Sequence, residues 1–331
     1  MENNRIIEIK NLEKTFYRRS VFGGRKVIPV LRNINFDIKH EEVFNLVGES
    51  GCGKTTTGKI IAGLIKPTNG EVLYHGKNIW NMKRQEFKKY RKAVQMIHQD
   101  PYASLNPMKQ VYDILSAPLF RHKIVSNRNE ARDKVLELLE TVGMTPPKDF
   151  IDKYPHELSG GQRQRIVIAR ALTINPEFIV ADEAVSMLDV SIRLSVIELL
   201  SNLKEKFGVA FLFITHDLAM AKYFGWHGRI AVMYVGKIVE LGSTPEVIDN
   251  PMHPYTKALL AAIPEPDPEI NRLKKMMKLR SLDIPNLMNL PEGCKFHPRC
   301  PFWIKGKCDK VEPELIEIEK NHFVACHLFN K

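Results

Sequence analysis

Short apolar runs alternate with amphipathic stretches along the chain from about residue 34 to residue 240. Val43–Val47, Phe178–Ala181 and Phe211–Ile214 are mostly apolar, which is the pattern of strands buried on both faces. Between the last two runs, Ile192–Phe207 places its apolar side chains at helical spacing. Buried strands that alternate with helices predict an α/β fold with a largely parallel sheet.

Two segments depart from this alternation. Residues from about 110 to 174 show only helical patterns, of which Glu130–Thr141 is the clearest, so we expect a helical insertion in the α/β domain. The segment from Pro245 to Lys331 contains 11 of the 20 prolines. That density predicts little regular α/β structure there, because proline lacks the backbone donor that helices and sheets use.

The length and composition narrow the class of protein. With 331 residues, 44% of them hydrophobic and 26% charged, the chain has a globular composition and is long enough for about two domains. No apolar run reaches the roughly 18 residues of a membrane-spanning helix. The start also lacks the apolar stretch of a signal peptide. We therefore expect an intracellular protein that at most docks on a membrane made by other chains.

The net charge of +11 is concentrated in two stretches of the chain. Residues 1–32 carry a net charge of +5, and residues 77–92 carry a net charge of +6. Solvated surface is the favoured interpretation of both stretches. Contact with anionic lipid headgroups or with nucleic acid is the alternative.

A glycine-rich segment, Gly48–Thr55, connects a predicted buried strand to a predicted helix and matches the pattern G-x-x-x-x-G-K-[ST]. Its glycines allow backbone N–H groups to surround phosphate oxygens, and the following helix N-terminus favours negative charge. Lys54 is expected at the β and γ phosphates, and the Thr55 hydroxyl is expected to bind Mg²⁺. We call Gly48–Thr55 the phosphate loop.

Two acidic residues, Asp182 and Glu183, follow a predicted buried strand, at the end of the strand where ligand sites of α/β proteins form. Asp182 is expected to hold the metal through water, and Glu183 is expected to polarise an attacking water. Alone this pattern is weak, because many strands simply end in solvent. Together with the phosphate loop it predicts a site of nucleotide hydrolysis.

Leu158–Gln162, with the sequence Leu-Ser-Gly-Gly-Gln, is a second candidate anion site at the start of a helix. One chain rarely needs two such sites for one nucleotide, so we expect this segment to contact a nucleotide held by a second subunit. The structural alternative is that Ser159, Gly160 and Gly161 simply cap the helix that runs to Thr173.

These motifs occur in one order within residues 6–250, and this region resembles the ATP-binding subunits of ABC transporters. Phe16 is similar to the aromatic residue that stacks on adenine. Gln99 is similar to the glutamine that contacts Mg²⁺ and senses the membrane partner. Ser186–Asp189 resembles the D-loop, and His216 resembles the switch histidine.

The resemblance implies a P-loop NTPase (RecA-like) α/β core with an antiparallel β subdomain and a helical insertion at about residues 100–174. It divides the chain into an ATPase domain, residues 1–250, and a small irregular C-terminal domain with a four-cysteine site, residues 251–331. It also implies ATP hydrolysis by a head-to-tail dimer, in which each ATP lies between one chain's phosphate loop and the other chain's Leu158–Gln162 segment. The nucleotide contacts that the resemblance implies are Phe16, Gly48, Ser50, Gly51, Cys52, Gly53, Lys54, Thr55, Thr56, Ser159, Gly160, Gly161, Gln162 and Asp189. The implied Mg²⁺ contacts are Thr55, Gln99 and Asp182. The implied catalytic residues are Glu183, His216 and Gln99.

Gln99–Pro107, Met252–Leu260, Ala262–Pro268 and the cysteine-containing tail resemble the ATPases of oligopeptide and dipeptide importers. The stretch around residues 20–28 and the sequence of Asp189–Ile192 resemble the second of the two different ATPases that such importers carry. The resemblance implies a second ATPase subunit in a heterodimer, two integral membrane permease subunits and, indirectly, an extracytoplasmic peptide-binding protein. The chain would then lie peripherally on the cytoplasmic face of the cell membrane, with no nucleic-acid partner.

Two alternative functions remain open at this point. In one, the chain has the same role, but the cargo is nickel or another small solute. In the other, it is a soluble ABC ATPase that acts on nucleic acid or ribosomes through its basic stretches. Proteins of the latter class usually carry two ATPase modules or a long coiled coil, and this sequence shows one module and no sustained heptads.

Three positions depart from the common pattern of the family. Ala184 stands where a proline usually follows the acidic pair, Met187 replaces a small D-loop residue, and His98 replaces a typical aromatic residue. None of these changes removes a group that binds phosphate, metal or a proton. We therefore expect two competent half-contributions from this subunit, and whether its rate or coupling is altered stays open.

Four of the five cysteines, Cys294, Cys300, Cys308 and Cys326, lie near the end of the chain. In an intracellular protein such a group is more typical of metal ligands than of disulfides. The sequence lacks the C-x-x-C pairs that zinc ribbons prefer, and irregular proline-rich loops can hold an iron–sulfur cluster. The family resemblance also implies a [4Fe–4S] cluster. Structural Zn²⁺, two disulfides or merely buried thiols are the alternatives.

Overall fold

In the computed structural model, which describes residues 4–19, 25–263 and 277–329, the chain divides into two units. The first unit contains Met1–Ile38, Glu42–Trp80 and Phe213–Lys331, and the second contains Lys39–Glu41 and Asn81–Leu212. Residues 20–24 and 264–268, which belong to two of the importer-like segments, lie outside the described residues.

The described residues form twelve strands, ten α-helices and three short 3₁₀ helices. The strands are β1 (Arg5–Arg19), β2 (Arg25–Lys39), β3 (Val43–Val47), β4 (Asn69–Tyr74), β5 (Lys77–Asn78), β6 (Val94–Ile97), β7 (Phe178–Asp182), β8 (Ala210–Thr215), β9 (Arg229–Tyr234), β10 (Lys237–Ser243), β11 (Ile316–Glu319) and β12 (His322–Val324). The α-helices are α1 (Lys54–Ile61), α2 (Arg84–Ala93), α3 (Pro101–Ser104), α4 (Val111–Arg121), α5 (Arg128–Thr141), α6 (Gly160–Leu172), α7 (Val190–Phe207), α8 (Leu218–Gly225), α9 (Thr244–Asp249) and α10 (Pro254–Ala261). The 3₁₀ helices span Ile79–Asn81, Pro147–Asp149 and Pro155–Glu157.

The first unit contains two sets of strands. One is a four-stranded sheet in the order β2-β1-β4-β5, in which β4 pairs antiparallel with β1 and β5. This sheet confirms the antiparallel subdomain that the family resemblance implied. The other set runs in the order β11-β12-β10-β9-β3, with β9 parallel to β3 and the remaining pairs antiparallel. Apolar side chains of β3 and β9 pack with α8, α10 and aromatic residues of the tail in one core.

The second unit combines a parallel strand pair with a group of helices. β6 and β7 pair in parallel with Val94 opposite Phe178, and every residue of β7 is buried. The helices α4, α5 and α6 pack on one another, and Val135 and Leu139 of α5 are completely buried. Residues 110–174 therefore form the helical segment that their pattern predicts. β8 begins in this unit at Ala210 and ends in the first unit at Thr215.

Most of the predicted elements are confirmed, and the tail is the main difference. The three predicted strands are β3, β7 and β8, and the helix predicted at 192–207 is α7. The expectation of little regular structure after residue 245 was wrong for α10 and for the hairpin β11–β12, which extends the sheet at β10. The described residues after 250 belong to the first unit, and the domain boundary predicted there stays a prediction.

A buried carboxylate explains why the tail joins the sheet. Glu240 of β10 is completely buried, and its side chain accepts hydrogen bonds from the backbone N–H groups of Met252 at 2.7 Å and His253 at 3.0 Å. The Nε2 atom of His322, at the start of β12, lies 2.9 Å from Glu240 Oε1. A carboxylate can be buried only when such donors replace its hydration. Glu240 therefore fixes the chain before α10 and the hairpin to one point of the sheet.

His253 caps α10 in a form that requires a neutral ring. Its Nδ1 accepts a hydrogen bond from the N–H of Tyr255 at 3.0 Å, which satisfies one of the unpaired donors of the helix N-terminus. Burial is the largest influence on this ring, and it lowers the pKa of His253 to about 4 against smaller raising effects from Glu240 and the Ala325 backbone. The folded protein therefore keeps His253 uncharged at neutral pH.

We expect the free energy of unfolding to fall as the pH decreases from about 6.5 to about 4, because the unfolded chain binds a proton at His253 that the folded chain excludes. Above about pH 6.5 both states are neutral and the stability from this group is fully present. The loss amounts to about 1.4 kcal/mol per pH unit over that interval. Denaturant unfolding at a series of pH values measures it.

The substitution His253→Asn provides the comparison for this pH effect. Asparagine retains a side-chain acceptor at the start of the helix but carries no titrating group. The unfolding free energy of the variant should therefore depend less steeply on pH than that of the natural protein. Equal slopes between pH 4 and 6.5 would contradict the proposed role of His253.

Candidate functional site

The phosphate loop follows β3 and leads into α1, and two of its glycines, Gly48 and Gly53, are required by close contacts with neighbouring strands. Gly48 has φ +150°, and a Cβ atom there would collide with the carbonyl oxygen of Met233 on β9. Gly53 has φ +110°, and its Cβ would lie 2.7 Å from Leu31. Side chains are therefore excluded at both positions by strain and by space. The loop has the wrapped shape that its sequence predicts.

Lys54 is folded back over the loop. Its ammonium group donates hydrogen bonds to the carbonyl oxygens of Gly48 at 2.6 Å and Glu49 at 3.0 Å, and the side chain is buried. Cys52 is also buried, and desolvation raises the pKa of its thiol. Thr55 and Thr56 occupy the first turn of α1, where the helix N-terminus favours an anion.

Two other predicted residues of the first unit are exposed. Phe16 lies on β1 with 38% of its surface accessible, and the Lys14 ammonium group lies 5.1 Å from the centre of its ring. His216 lies between the end of β8 and Asp217, whose carboxylate caps α8 by accepting from the N–H groups of Ala219 and Met220. The roles of Phe16 and His216 toward a nucleotide stay predictions.

The second unit brings together Gln99, Asp182 and Glu183. Asp182 ends β7 and is buried, and Glu183 follows it in the left-handed region with φ +48°. Non-glycine residues in this region are strained and are concentrated at functional sites. The Gln99 side-chain amide donates a hydrogen bond to the Glu183 carboxylate at 3.0 Å. The carboxylate predicted as the base is thus oriented by the glutamine predicted to contact the metal.

A tight turn holds Glu183 in this conformation. The backbone N–H of Ser186 donates to the carbonyl oxygen of Glu183 at 3.1 Å, and the Ser186 hydroxyl donates to the same oxygen at 2.9 Å. Met187 and Asp189, which follow, are both exposed. Of the substituted positions, Ala184 therefore lies within the turn that holds the Glu183 backbone, and Met187 follows that turn directly.

Leu158–Gln162 caps a helix in the structure, as the structural alternative for this segment predicted. The Ser159 hydroxyl caps α6 by accepting from the Gln162 N–H at 3.3 Å, and the Gln162 side chain accepts in return from the Ser159 N–H at 3.0 Å. Gly161 is needed for packing, because a Cβ there would lie 2.6 Å from Ile192 of α7. A contact with a nucleotide on a second subunit stays a prediction for Ser159–Gln162 and for Asp189, which precedes α7.

The sequence patterns missed two residues that touch the phosphate loop. Arg299 donates to both carboxylate oxygens of Glu49, and the Tyr255 hydroxyl accepts the Glu49 N–H. Hydrogen bonding to Glu49 raises the pKa of Arg299. The available signal was Glu49 itself, because a carboxylate within an anion-binding loop needs a compensating cation.

All five cysteines are free thiols, and the four of the tail are close enough to influence one another electrostatically. Burial, which is the largest influence, raises the pKa of Cys294, Cys300 and Cys326 to about 11, and each is raised further by other thiols of the set. Cys308 Sγ accepts a hydrogen bond from the N–H of Ile304 at 3.3 Å. Disulfides are therefore not the form of these residues.

The metal expectation for the tail is not confirmed by geometry. Within residues 4–19, 25–263 and 277–329, no three His, Cys, Asp or Glu side chains are arranged to hold a metal ion. His322 contacts Glu240, and the Nε2 atom of His327 lies 2.8 Å from the Val311 carbonyl oxygen. These two histidines therefore serve the packing of the tail.

Among the described residues, no helix combines the length and the apolar character needed to cross a membrane.

Comparison with known proteins places these features in a family. Residues 31–186 match the model of the ABC transporter family, and residues 239–308 match that of the oligopeptide/dipeptide transporter C-terminal region. The oligopeptide transport ATP-binding protein AppF of Bacillus subtilis (strain 168) is 44% identical over 98% of this chain and 98% of its own. A putative peptide import ATP-binding protein of Brucella ovis is 41% identical over 98% of both chains.

The fold also matches solved structures. The ATP-binding cassette MJ0796, in a dimeric post-hydrolysis state bound to ADP and Pi, is 31% identical with a TM-score of 0.62. The match covers 72% of this chain and 98% of MJ0796. Together these matches confirm the ABC cassette fold with its antiparallel β subdomain. The chain belongs to the ABC transporter ATP-binding proteins, in the branch that carries the oligopeptide/dipeptide transporter C-terminal region.

Proposed function

We propose that this chain is the ATP-hydrolysing subunit of an ABC importer for di- and oligopeptides. The observation that carries the proposal is the match to peptide-transport ATPases at 41–45% identity along nearly the whole chain, including the C-terminal region. The chain is an ATPase by family, and the cargo follows from its relatives. No feature of the described residues favours nickel import or a function on nucleic acid.

The phosphate loop is the proposed binding element for ATP. Ser50, Gly51, Cys52 and Gly53 present backbone N–H groups, Lys54 supplies a positive charge, and Thr55 and Thr56 begin a helix whose dipole favours phosphate. Support comes from the positive φ angles of the loop and from the folded-back Lys54. Phe16 offers an exposed ring on which adenine can stack.

Glu183 is the proposed residue that orients the attacking water. The Gln99 hydrogen bond orients its carboxylate, and the turn at Ser186 fixes its backbone. Fixed groups cost no reorganisation at the moment of reaction. Thr55, Gln99 and Asp182 provide oxygen donors of the kind that Mg²⁺ prefers, and Mg²⁺ neutralises charge on the transferred phosphoryl group. Because the Gln99 amide nitrogen is bound to Glu183, the amide oxygen is the atom left for the metal.

The proposed assembly is a head-to-tail heterodimer with a second ATPase. Ser159, Gly160, Gly161, Gln162 and Asp189 would face the nucleotide of the partner, and His216 would contact the γ-phosphate side of the chain's own site. The capping box uses the N–H of Gln162 and leaves the dipole of α6 directed toward an anion. The chain would lie peripherally at the cytoplasmic face of the membrane, with residues 251–331 as its C-terminal domain.

A cleft in the second unit is the proposed contact for the permeases. It has a volume of about 490 Å³ and is lined by residues of α4 together with Ser104, Asn106, Lys109, Arg128 and Arg170. Arg170 donates to the Ser104 carbonyl oxygen, so the cleft is tied to the segment that follows Gln99. That connection supports a path from the permease surface to the glutamine beside Glu183.

We further infer that Cys294, Cys300, Cys308 and Cys326 bind a [4Fe–4S] cluster, with Zn²⁺ as the alternative. Four free and largely buried thiols that influence one another's pKa support this ligand set. Because the described residues contain no group of three or more His, Cys, Asp or Glu side chains placed for a metal ion, the proposal rests on the thiols themselves. Thiolates are the ligands that such clusters use.

We expect the substitution Glu183→Gln to abolish hydrolysis while ATP binding persists. Loss of a group that orients and polarises water should lower turnover by at least about 100-fold. Phosphate release by the assembled transporter and ATP affinity are measured in parallel. Glu140→Gln, an equivalent change on the exposed face of α5, should leave both unchanged. Continued hydrolysis at the site that carries the Glu183→Gln substitution would exclude Glu183 as the base.

We expect the tagged chain, isolated from membranes, to carry two integral membrane proteins and a second ATPase. Ala117→Arg places a large charged side chain in the cleft and should release the membrane proteins. Glu140→Arg, outside the cleft lining, should retain them. Mass spectrometry identifies the partners, and nucleic acid without a membrane partner would refute the importer.

We expect anaerobically purified protein to show a broad absorption band near about 400 nm and about four iron atoms per chain. Cys326→Ser should reduce both signals, whereas Cys52→Ser in the phosphate loop should not. Zinc without iron would support the alternative metal and exclude the cluster. Absence of both metals would leave the tail cysteines as buried thiols.

A further inference from the structure

Glu49, the second residue of the phosphate loop, is held through all three of its polar parts. Its backbone N–H donates to the Tyr255 hydroxyl at 2.8 Å, and its carbonyl oxygen accepts from Lys54 at 3.0 Å. Its carboxylate accepts two hydrogen bonds from Arg299, at 2.7 and 2.9 Å. Two of the three partners come from the part of the chain after residue 250.

Arg299 and Glu49 form a bidentate ion pair that is largely shielded from solvent. The Arg299 side chain is 6% exposed, and the Glu49 side chain is 24% exposed. A guanidinium group that meets a carboxylate through two parallel bonds fixes direction as well as distance. The orientation of Glu49 is therefore determined by the position of Arg299.

Aromatic rings keep Arg299 in place. The guanidinium carbon lies 5.8 Å from the ring centre of Tyr234 and 5.7 Å from that of Phe296, and Nη1 lies 3.4 Å from the Tyr234 hydroxyl. The rings of Tyr234 and Tyr255 are 4.5 Å apart, and both contact Phe296. The same group of rings therefore positions both tail residues that bind Glu49.

The backbone of Arg299 belongs to the cysteine-containing segment. Its N–H donates to the carbonyl oxygen of Phe296 at 2.9 Å, and its own carbonyl oxygen accepts from the N–H of Arg280 at 3.0 Å. Cys294 and Cys300 lie on either side of this turn. The fold of the cysteine-containing segment therefore places the guanidinium group of Arg299 at the phosphate loop.

The charge of Glu49 gives this contact a consequence for binding. A carboxylate in a loop that surrounds phosphates repels the nucleotide unless a cation compensates it, and the interaction is strong where water is scarce. Arg299 provides that cation and leaves Lys54 for the phosphates. We propose that Arg299 and Tyr255 are positioning residues of the phosphate loop, which makes the tail part of the nucleotide site; this rests on the proposed role of the loop in binding ATP.

The test compares ATP affinity in the full-length chain carrying Arg299→Gln, Glu49→Gln or both. Arg299→Gln should weaken ATP binding about tenfold or more, because it leaves Glu49 uncompensated beside the phosphates. Glu49→Gln removes the carboxylate together with its need for a cation, so it should weaken ATP binding less than Arg299→Gln does. The double variant should recover to within about threefold of Glu49→Gln, since no uncompensated charge remains.

The matched control is Arg280→Gln, which removes the same charge from the same segment. Arg280 is exposed and lies over the Trp303 ring rather than against Glu49. Its loss should leave ATP affinity unchanged. The defect of Arg299→Gln should also shrink as salt is raised, because screening weakens the repulsion. Tyr255→Phe, which removes only the acceptor of the Glu49 N–H, should weaken binding several-fold.

The outcomes separate this proposal from the proposed function. If the natural protein binds no ATP, or if Lys54→Ala binds it normally, the assignment of the loop fails. If the natural protein binds ATP and Arg299→Gln binds it equally well, only the role of Arg299 fails. A double variant as weak as Arg299→Gln would also overturn the proposal, since the defect would then come from a misfolded tail. Thermal unfolding of each variant identifies that case, and Arg299→Lys, which keeps the charge, should lie between the natural protein and Arg299→Gln.

Discussion

The phosphate loop keeps its shape because strands β2 and β9 leave no room for side chains at Gly48 and Gly53. β9 approaches Gly48 through the Met233 carbonyl oxygen, and β2 and β9 together enclose Gly53. The loop is therefore shaped by strands rather than by its own hydrogen bonds alone. Glu49, the one charged residue between these glycines, is then fixed by Arg299, and the tail that carries Arg299 is joined to the sheet through Glu240. The residues that determine the shape of the loop are therefore spread from β2 to the tail.

The sequence predicted those parts of the fold in which local pattern and tertiary environment agree. β3 and β7 are buried along their whole length, so a continuous apolar run was enough to identify them. The hairpin β11–β12 was missed because its strands are short and lie in a proline-rich segment. Its pairing with β10 depends on His322 meeting Glu240, 82 positions away in the sequence. A buried polar pair of this kind has no local signature.

In the candidate site too, the residues with a local sequence pattern were predicted, and a contact between residues distant in the sequence was missed. The glycine pattern predicted the loop, and the family resemblance supplied Gln99, whose bond to Glu183 spans 84 positions. The partner of Glu49 lies 250 positions away, in a segment whose cysteines drew attention to metal chemistry instead. The Leu158–Gln162 segment allowed two interpretations, and they are compatible, because the cap of α6 uses the Gln162 N–H while the helix dipole still favours an anion.

The net charge counted along a stretch of the sequence differs from the charge that the folded protein presents there. Residues 1–32 carry a net charge of +5, yet Arg5 contacts Asp37, and Arg32 bonds to Glu312 at 2.9 Å. Both carboxylates lie outside that window. Glu312 also accepts from Lys237 at 2.9 Å, so one tail residue compensates cations from two strands. The positive charge counted along the chain is thus partly compensated by carboxylates that the fold places next to it. A basic window is then weak evidence for a nucleic-acid partner, because the charge that a partner meets is set by the spatial neighbours of each side chain.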